Sequence, residues 1–203
     1  MKSRKQILWI TQTAMLLAVA LISQVYITNL LAFNALASQL IVGSIVNLCL
    51  VLSVLTCGFF SGFSIALCTP FIPFLLGRIV YPQQLIIVAL GNLTIVFIFW
   101  LICRKKLLGS HLPDSVNWGI ASVIGAIAKF LVVWIGMTKI FINLVLKNDA
   151  AVTAPKLEKM TAAIMLNFSW SQLATALIGC VLAYAVYRVL KNVLSEKPVK
   201  AKN

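Results

Sequence analysis

The residue whose type and place most invite chemistry is Lys129, a lysine inside an apolar run covering 116–146. In a helix crossing a bilayer, a lysine costs about 2.5–3.5 kcal/mol on insertion scales and ordinarily faces a cavity or a partner. Counted along a helix from Val116, it sits ~20 Å into the run. Two readings are open. Lys129 either snorkels or bonds to helix carbonyls, or it is a cation that receives an anionic ligand group. The chain holds four acids, Asp114, Asp149, Glu158 and Glu196, and none lies inside a long apolar run. No acid within the spans can neutralise Lys129, which favours the second reading. Ala121, Gly125, Ala128, Val132 and Gly136 form a stripe at helical spacing beside it, which would let another helix approach closely. Lys139, further along, is expected to snorkel to the interface.

Other polar side chains fall near the same depth. Asn47, Asn92 and Gln172 each lie ~12–17 Å from the far ends of their own apolar runs, and Asn167 is shallower. Singly, such groups are usually helix–helix hydrogen bonds. Together with Lys129 they are expected to line one small-molecule pocket, with Trp170 and Trp134 as its apolar wall. Catalytic equipment is missing. The sequence has no P-loop, no H-E-x-x-H, no paired membrane carboxylates, and one histidine, His111. Cys49, Cys57, Cys68, Cys103 and Cys180 make an odd set without C-x-x-C and read as small hydrophobes. The expectation is a protein that is not an enzyme and needs neither metal nor cofactor.

The elements that must position these residues are membrane helices. Of the 203 residues, 62% are hydrophobic and 10% charged, too little polar surface for a soluble domain of this length. The net charge of +13 is not a nucleic-acid signature, because the basic residues lie between apolar spans instead of on one face. Continuous apolar runs without alternation favour helices over strands. The runs predict a six-helix transmembrane domain over 1–190, with helices at about 7–28, 39–56, 59–77, 84–103, 116–146 and 161–187. A basic tail follows at 191–203. A single helix over 39–77 would be ~58 Å long, so a tight turn is expected at Gly58. The third helix carries Pro70 and Pro73 near its end. The first span is expected to be retained instead of cleaved as a signal peptide, since it outruns a typical signal core.

Lysine and arginine mark the cytoplasmic side of short loops. With the N-terminus inside, Lys2, Arg4, Lys5, Arg104, Lys105, Lys106, Arg188, Lys191, Lys197, Lys200 and Lys202 are cytoplasmic. Only Arg78, Lys147, Lys156 and Lys159 are external. Both termini are therefore expected in the cytoplasm of a cell-membrane protein, with 147–160 its longest external loop.

In the first helix Thr11, Ala14 and Ala18 share a face, and Ala14-x-x-x-Ala18 is a small-x-x-x-small pattern on which another protein's helix can dock. That motif also carries a family resemblance. Further features are Gly43-Ser44-Ile45-Val46-Asn47, the Gly62…Thr69-Pro70…Pro73 stretch, Gly91-Asn92, and Gln172-Leu173-x-Thr175-Ala176-Leu177-Ile178-Gly179. Over nearly its whole length the chain resembles the substrate-binding S components of energy-coupling factor transporters. The resemblance implies a six-helix protein that binds a vitamin or related micronutrient from outside. Its alanine face, here Ala14 and Ala18, would dock on a transmembrane coupling subunit driven by two cytoplasmic ATPases, and the protein would topple to carry its ligand inward. The ligand site would lie among helices four to six and the external loops. A carboxylate held by Lys129 would suit pantothenate, nicotinate, biotin or a folate. Two other classes stay open: a structural or assembly factor whose polar residues only lock helices together, and a small membrane transferase, for which Asp114 is a poor catalytic acid.

Overall fold

The computed structural model describes residues 2–77, 79, 81–109, 111–150 and 152–195. Arg78 and the tail beyond 195 lie outside the described residues, as do the side chains of Lys2, Arg4 and Lys5. All the regular structure among the described residues is helical: α1 (Lys2–Leu30), α2 (Ala35–Thr56), α3 (Phe59–Cys68), α4 (Phe71–Leu75), α5 (Pro82–Phe99), α6 (Asp114–Ile135), α7 (Ala154–Phe168) and α8 (Trp170–Ser195). α5 runs on through a π-helical turn, Trp100–Arg104, and α6 through a longer one, Gly136–Leu146. Five segments are long and apolar enough to cross a membrane, and Phe59–Leu75 is a shorter apolar sixth, only ~25 Å long. The surface agrees with that use. Phe33, Leu30 and Phe60 are 85%, 76% and 73% exposed, a burden of bare apolar side chains that lipid, not water, accommodates.

The turn between α2 and α3 falls at Gly58, whose φ of 109° is a left-handed-region value that favours glycine. Arg104 covers the same turn. Its guanidinium donates to the carbonyls of Val54 and Leu55 at 3.0 and 3.1 Å, occupying acceptors that the end of α2 leaves without helical partners. At the other end of α2 the Asn34 side chain accepts from the Ala37 amide at 3.0 Å, an N-cap.

Two expected spans are interrupted. The third, placed at 59–77, stops at Cys68 and resumes only as the short α4, because Pro70 has no N–H with which to continue the ladder. The sixth, placed at 161–187, is two helices. α7 begins at Ala154, so much of the expected 147–160 loop is helical, and the chain breaks at Ser169 (φ −95°, ψ −131°). The break persists because donors gather on the carbonyl of Asn167. The Ser171 hydroxyl donates to it at 2.8 Å, the Gln172 amide at 3.3 Å, and the Gln39 amide closes on it from α2.

The main core lies where α2, α3, α5, α6 and α8 meet, with Leu50, Val51, Ile65, Val96 and Phe99 fully buried. Trp118 anchors it, donating its indole N–H to the Cys180 carbonyl at 3.2 Å and packing edge-on against Phe99 and Tyr184. A second cluster joins the π-helical end of α6 to α7 through Met137, Phe141, Leu146 and Ile164. Here the Tyr81 hydroxyl donates to the Asp149 carboxylate at 2.7 Å, and that contact holds the phenol above its ordinary pKa.

Candidate functional site

The site begins with glycines that let four helices close in pairs, α8 on α2 and α5 on α6. A Cβ at Gly179 of α8 would stand 2.5 Å from the Cβ of Asn47 and 2.8 Å from the Ser44 carbonyl, so α2 and α8 touch backbone to backbone. A side chain at Gly91 would meet Val133 of α6 and reach within 3.7 Å of Cγ of Lys129. Against this scaffold Asn47, Asn92 and Lys129 are 1%, 3% and 3% exposed. At that burial each polar atom needs a partner.

The partners are one another. The Lys129 ammonium donates to Oδ1 of Asn47 at 2.6 Å and to Oδ1 of Asn92 at 2.8 Å. Both amides are held in turn: Asn47 donates to the Gly43 carbonyl at 2.9 Å, and Asn92 to the Thr69 hydroxyl at 3.1 Å. A lysine has three donors. Two are met by neutral oxygens, neither of which cancels a charge, and Asp114 pairs with Lys106 and Lys191 at the opposite end of the bundle.

Lys129 closes the floor of a cavity of about 520 Å³. Its mouth lies at the end of the bundle where α1 joins α2, and Gln24, Thr28, Gln39, Asn167, Phe168 and Gln172 line its upper part. The lower wall carries Val42, Val46 and Val88 above Asn47, Asn92 and Thr69. A second, smaller cavity of about 170 Å³ adjoins it under α7, sharing Ile79, Asn167 and Phe168.

Of the residues expected at a binding site, Lys129, Asn47, Asn92, Asn167 and Gln172 line this one cavity. Trp170 does not. It stands just past the Ser169 break and is 57% exposed, pointing away from the bundle. Trp134 stacks on Phe130 and is also absent from the lining. Lys139 is exposed on the π-helical stretch. In α1, Thr11, Ala14 and Ala18 are all exposed on the outer face, whereas Thr13 turns inward to hydrogen-bond Ser61 at 2.8 Å. Among the described residues no group of three or more histidine, cysteine, aspartate or glutamate side chains could hold a metal ion.

Sequence reasoning missed Gln39, Thr69 and the α1 residues Gln24 and Thr28. A usable signal existed in α2, where Ala35, Gln39, Val42, Val46 and Asn47 recur at helical spacing on one face. The α1 contribution depends on how that helix leans over the mouth, and no local pattern announces that. The cavity also draws on α1 and α2, beyond the helices that the family resemblance implies. Comparison with family models, with curated proteins and with solved structures finds no match.

Proposed function

We propose that the protein is the substrate-specificity subunit of an energy-coupling factor type importer. It takes a micronutrient bearing an acid group from outside the cell and delivers it inward with separate coupling and ATPase subunits. The observation that carries this reading is the buried Lys129 ammonium at the floor of an open cavity, with two neutral acceptors and, among the described lining residues, no acid. An anionic ligand group entering there would complete the charge pairing in a water-poor site, where charge-assisted hydrogen bonds are strong.

The orientation follows from where the cations lie. Arg104, Lys105, Lys106, Arg188 and Lys191 cluster at the end of the bundle opposite the cavity mouth. The rule that basic residues stay inside therefore directs the mouth outward and both termini into the cytoplasm of a six-span cell-membrane protein. The exposed Ala14 and Ala18 on α1 offer a low-relief face for the coupling subunit. The resemblance supplies the toppling movement, and the chain itself supplies no ATP-binding motif.

One observation favours a second reading. Lys129 pins α2, α5 and α6 together through its two asparagines, which is also what an assembly factor without a ligand would need. A thermal-shift screen of the purified protein against water-soluble vitamins and their precursors separates the two. A ligand at 100 times its dissociation constant adds ~2.7 kcal/mol, a readily measured rise in melting temperature. A hit accompanied by ATPase-dependent uptake supports the importer. Silence across the panel favours the assembly role.

A further inference from the structure

We propose, resting on the reading of the cavity as a ligand site, that its occupant is an elongated aliphatic acid. Its carboxylate and a neutral hydrogen-bonding group would lie on the order of 10 Å apart along an α2 wall of eight residues' rise. A compact aromatic acid does not fit that description.

The cavity is layered. At the floor stand Lys129, Asn47, Asn92 and Thr69, a station with one cation and neutral polar groups that are already tied to one another. Eight residues earlier on the same face of α2, ~12 Å up the helix, Gln39 marks a second polar station. There the Gln39 amide is fixed by donating to the Asn167 carbonyl and to the Ser171 hydroxyl, and Gln172 and Thr28 stand at the same cavity wall. The Thr28 hydroxyl, which donates to the Gln24 carbonyl at 2.6 Å, keeps its acceptor lone pairs at this wall, so the station can accept from a ligand. Between the stations the lining is aliphatic: Val42 and Val46 from α2, Val88 from α5, and Pro70.

Each layer selects one part of the ligand. The floor takes an anion, since Lys129 is the only charged side chain among the described lining residues. The aliphatic belt takes methylenes or branched carbon and gives a polar group no partner, which would leave it desolvated and unpaired. The upper station takes a hydroxyl, amide or ureido group with an N–H or O–H to donate. Phe168 is the one aromatic ring in the described lining and stands by the mouth, away from the floor. A flat ring anchored by its acid at Lys129 would therefore lie among valines with no stacking face, and it would end short of Gln39.

Isothermal titration of the purified full chain with pantothenate, biotin, nicotinate and the methyl esters of the first two tests this. Pantothenate and biotin carry the acid–spacer–donor pattern, and nicotinate does not. The expected result is that pantothenate or biotin binds at least tenfold more tightly than nicotinate and at least tenfold more tightly than its own ester. Nicotinate binding as tightly as either one, with that binding lost in Lys129→Met, overturns the elongated class and leaves the site reading in place. Equal affinity for acid and ester overturns the acid end. No binding by any of the five overturns this inference and counts against the site itself.

Discussion

Lys129 owes its position to two asparagines. Burying an ammonium with only neutral acceptors is costly, so a residue of this kind persists where something beyond packing uses it. Replacing it by methionine removes the charge and keeps the length. The change relieves the desolvation cost but orphans the Asn47 and Asn92 oxygens, each at about 1–3 kcal/mol. We expect Lys129→Met to remain folded, with a melting temperature within a few degrees of wild type by thermal denaturation. A collapse of the fold would instead mark Lys129 as a structural pin. Much of this site was legible from residue types alone, because a lysine and amides at matched depth in otherwise apolar runs are conspicuous. Trp170 was not legible in the same way. It follows the Ser169 break, which no motif marks, and is 57% exposed there.

The helices show why the spans were easy to find and their interruptions were not. Apolar length fixes a span, and a φ that favours glycine at Gly58 fixes a turn. The break at Ser169 depends instead on Gln39, from another helix, reaching the freed carbonyl of Asn167, a tertiary event. The close contact of α2 with α8 is likewise tertiary, and it is testable at Gly179. Gly179→Val places methyl groups where the Asn47 Cβ and the Ser44 carbonyl already stand. It should destabilise the protein by about 1–3 kcal/mol in denaturant titrations and weaken ligand binding by tilting Asn47 away from Lys129. At the opposite end, Arg104→Ala strips the two carbonyls at the end of α2 of their donor and should cost about 1 kcal/mol without changing ligand affinity. On α1, Ala14→Arg or Ala18→Arg should leave ligand binding intact and abolish uptake in cells that contain the coupling module. Normal uptake by either variant would remove the docking face from the account.

At the scale of the whole molecule, Arg104, Lys105, Lys106, Arg188 and Lys191 stand at the end opposite the cavity mouth. Basic side chains crowd the end formed by the α2–α3 turn and the start of α6, where Asp114 pairs with Lys191 at 3.2 Å and Lys106 at 3.8 Å. These exposed pairs contribute little to stability. Their weight lies in topology, so a reporter fused to the C-terminus should read as cytoplasmic, and a periplasmic or extracellular reading would invert the mouth. The helical, membrane-spanning character was open to reading from composition, since apolar length acts locally. The cavity's layered wall required the packed bundle. The central claim is that Lys129 receives the acid of a bound micronutrient. Its most direct test is the affinity of the best acid ligand for wild-type protein and for Lys129→Met, measured side by side by titration calorimetry. A loss of tenfold or more in a folded variant is the predicted result, and equal affinity for the two proteins would contradict it.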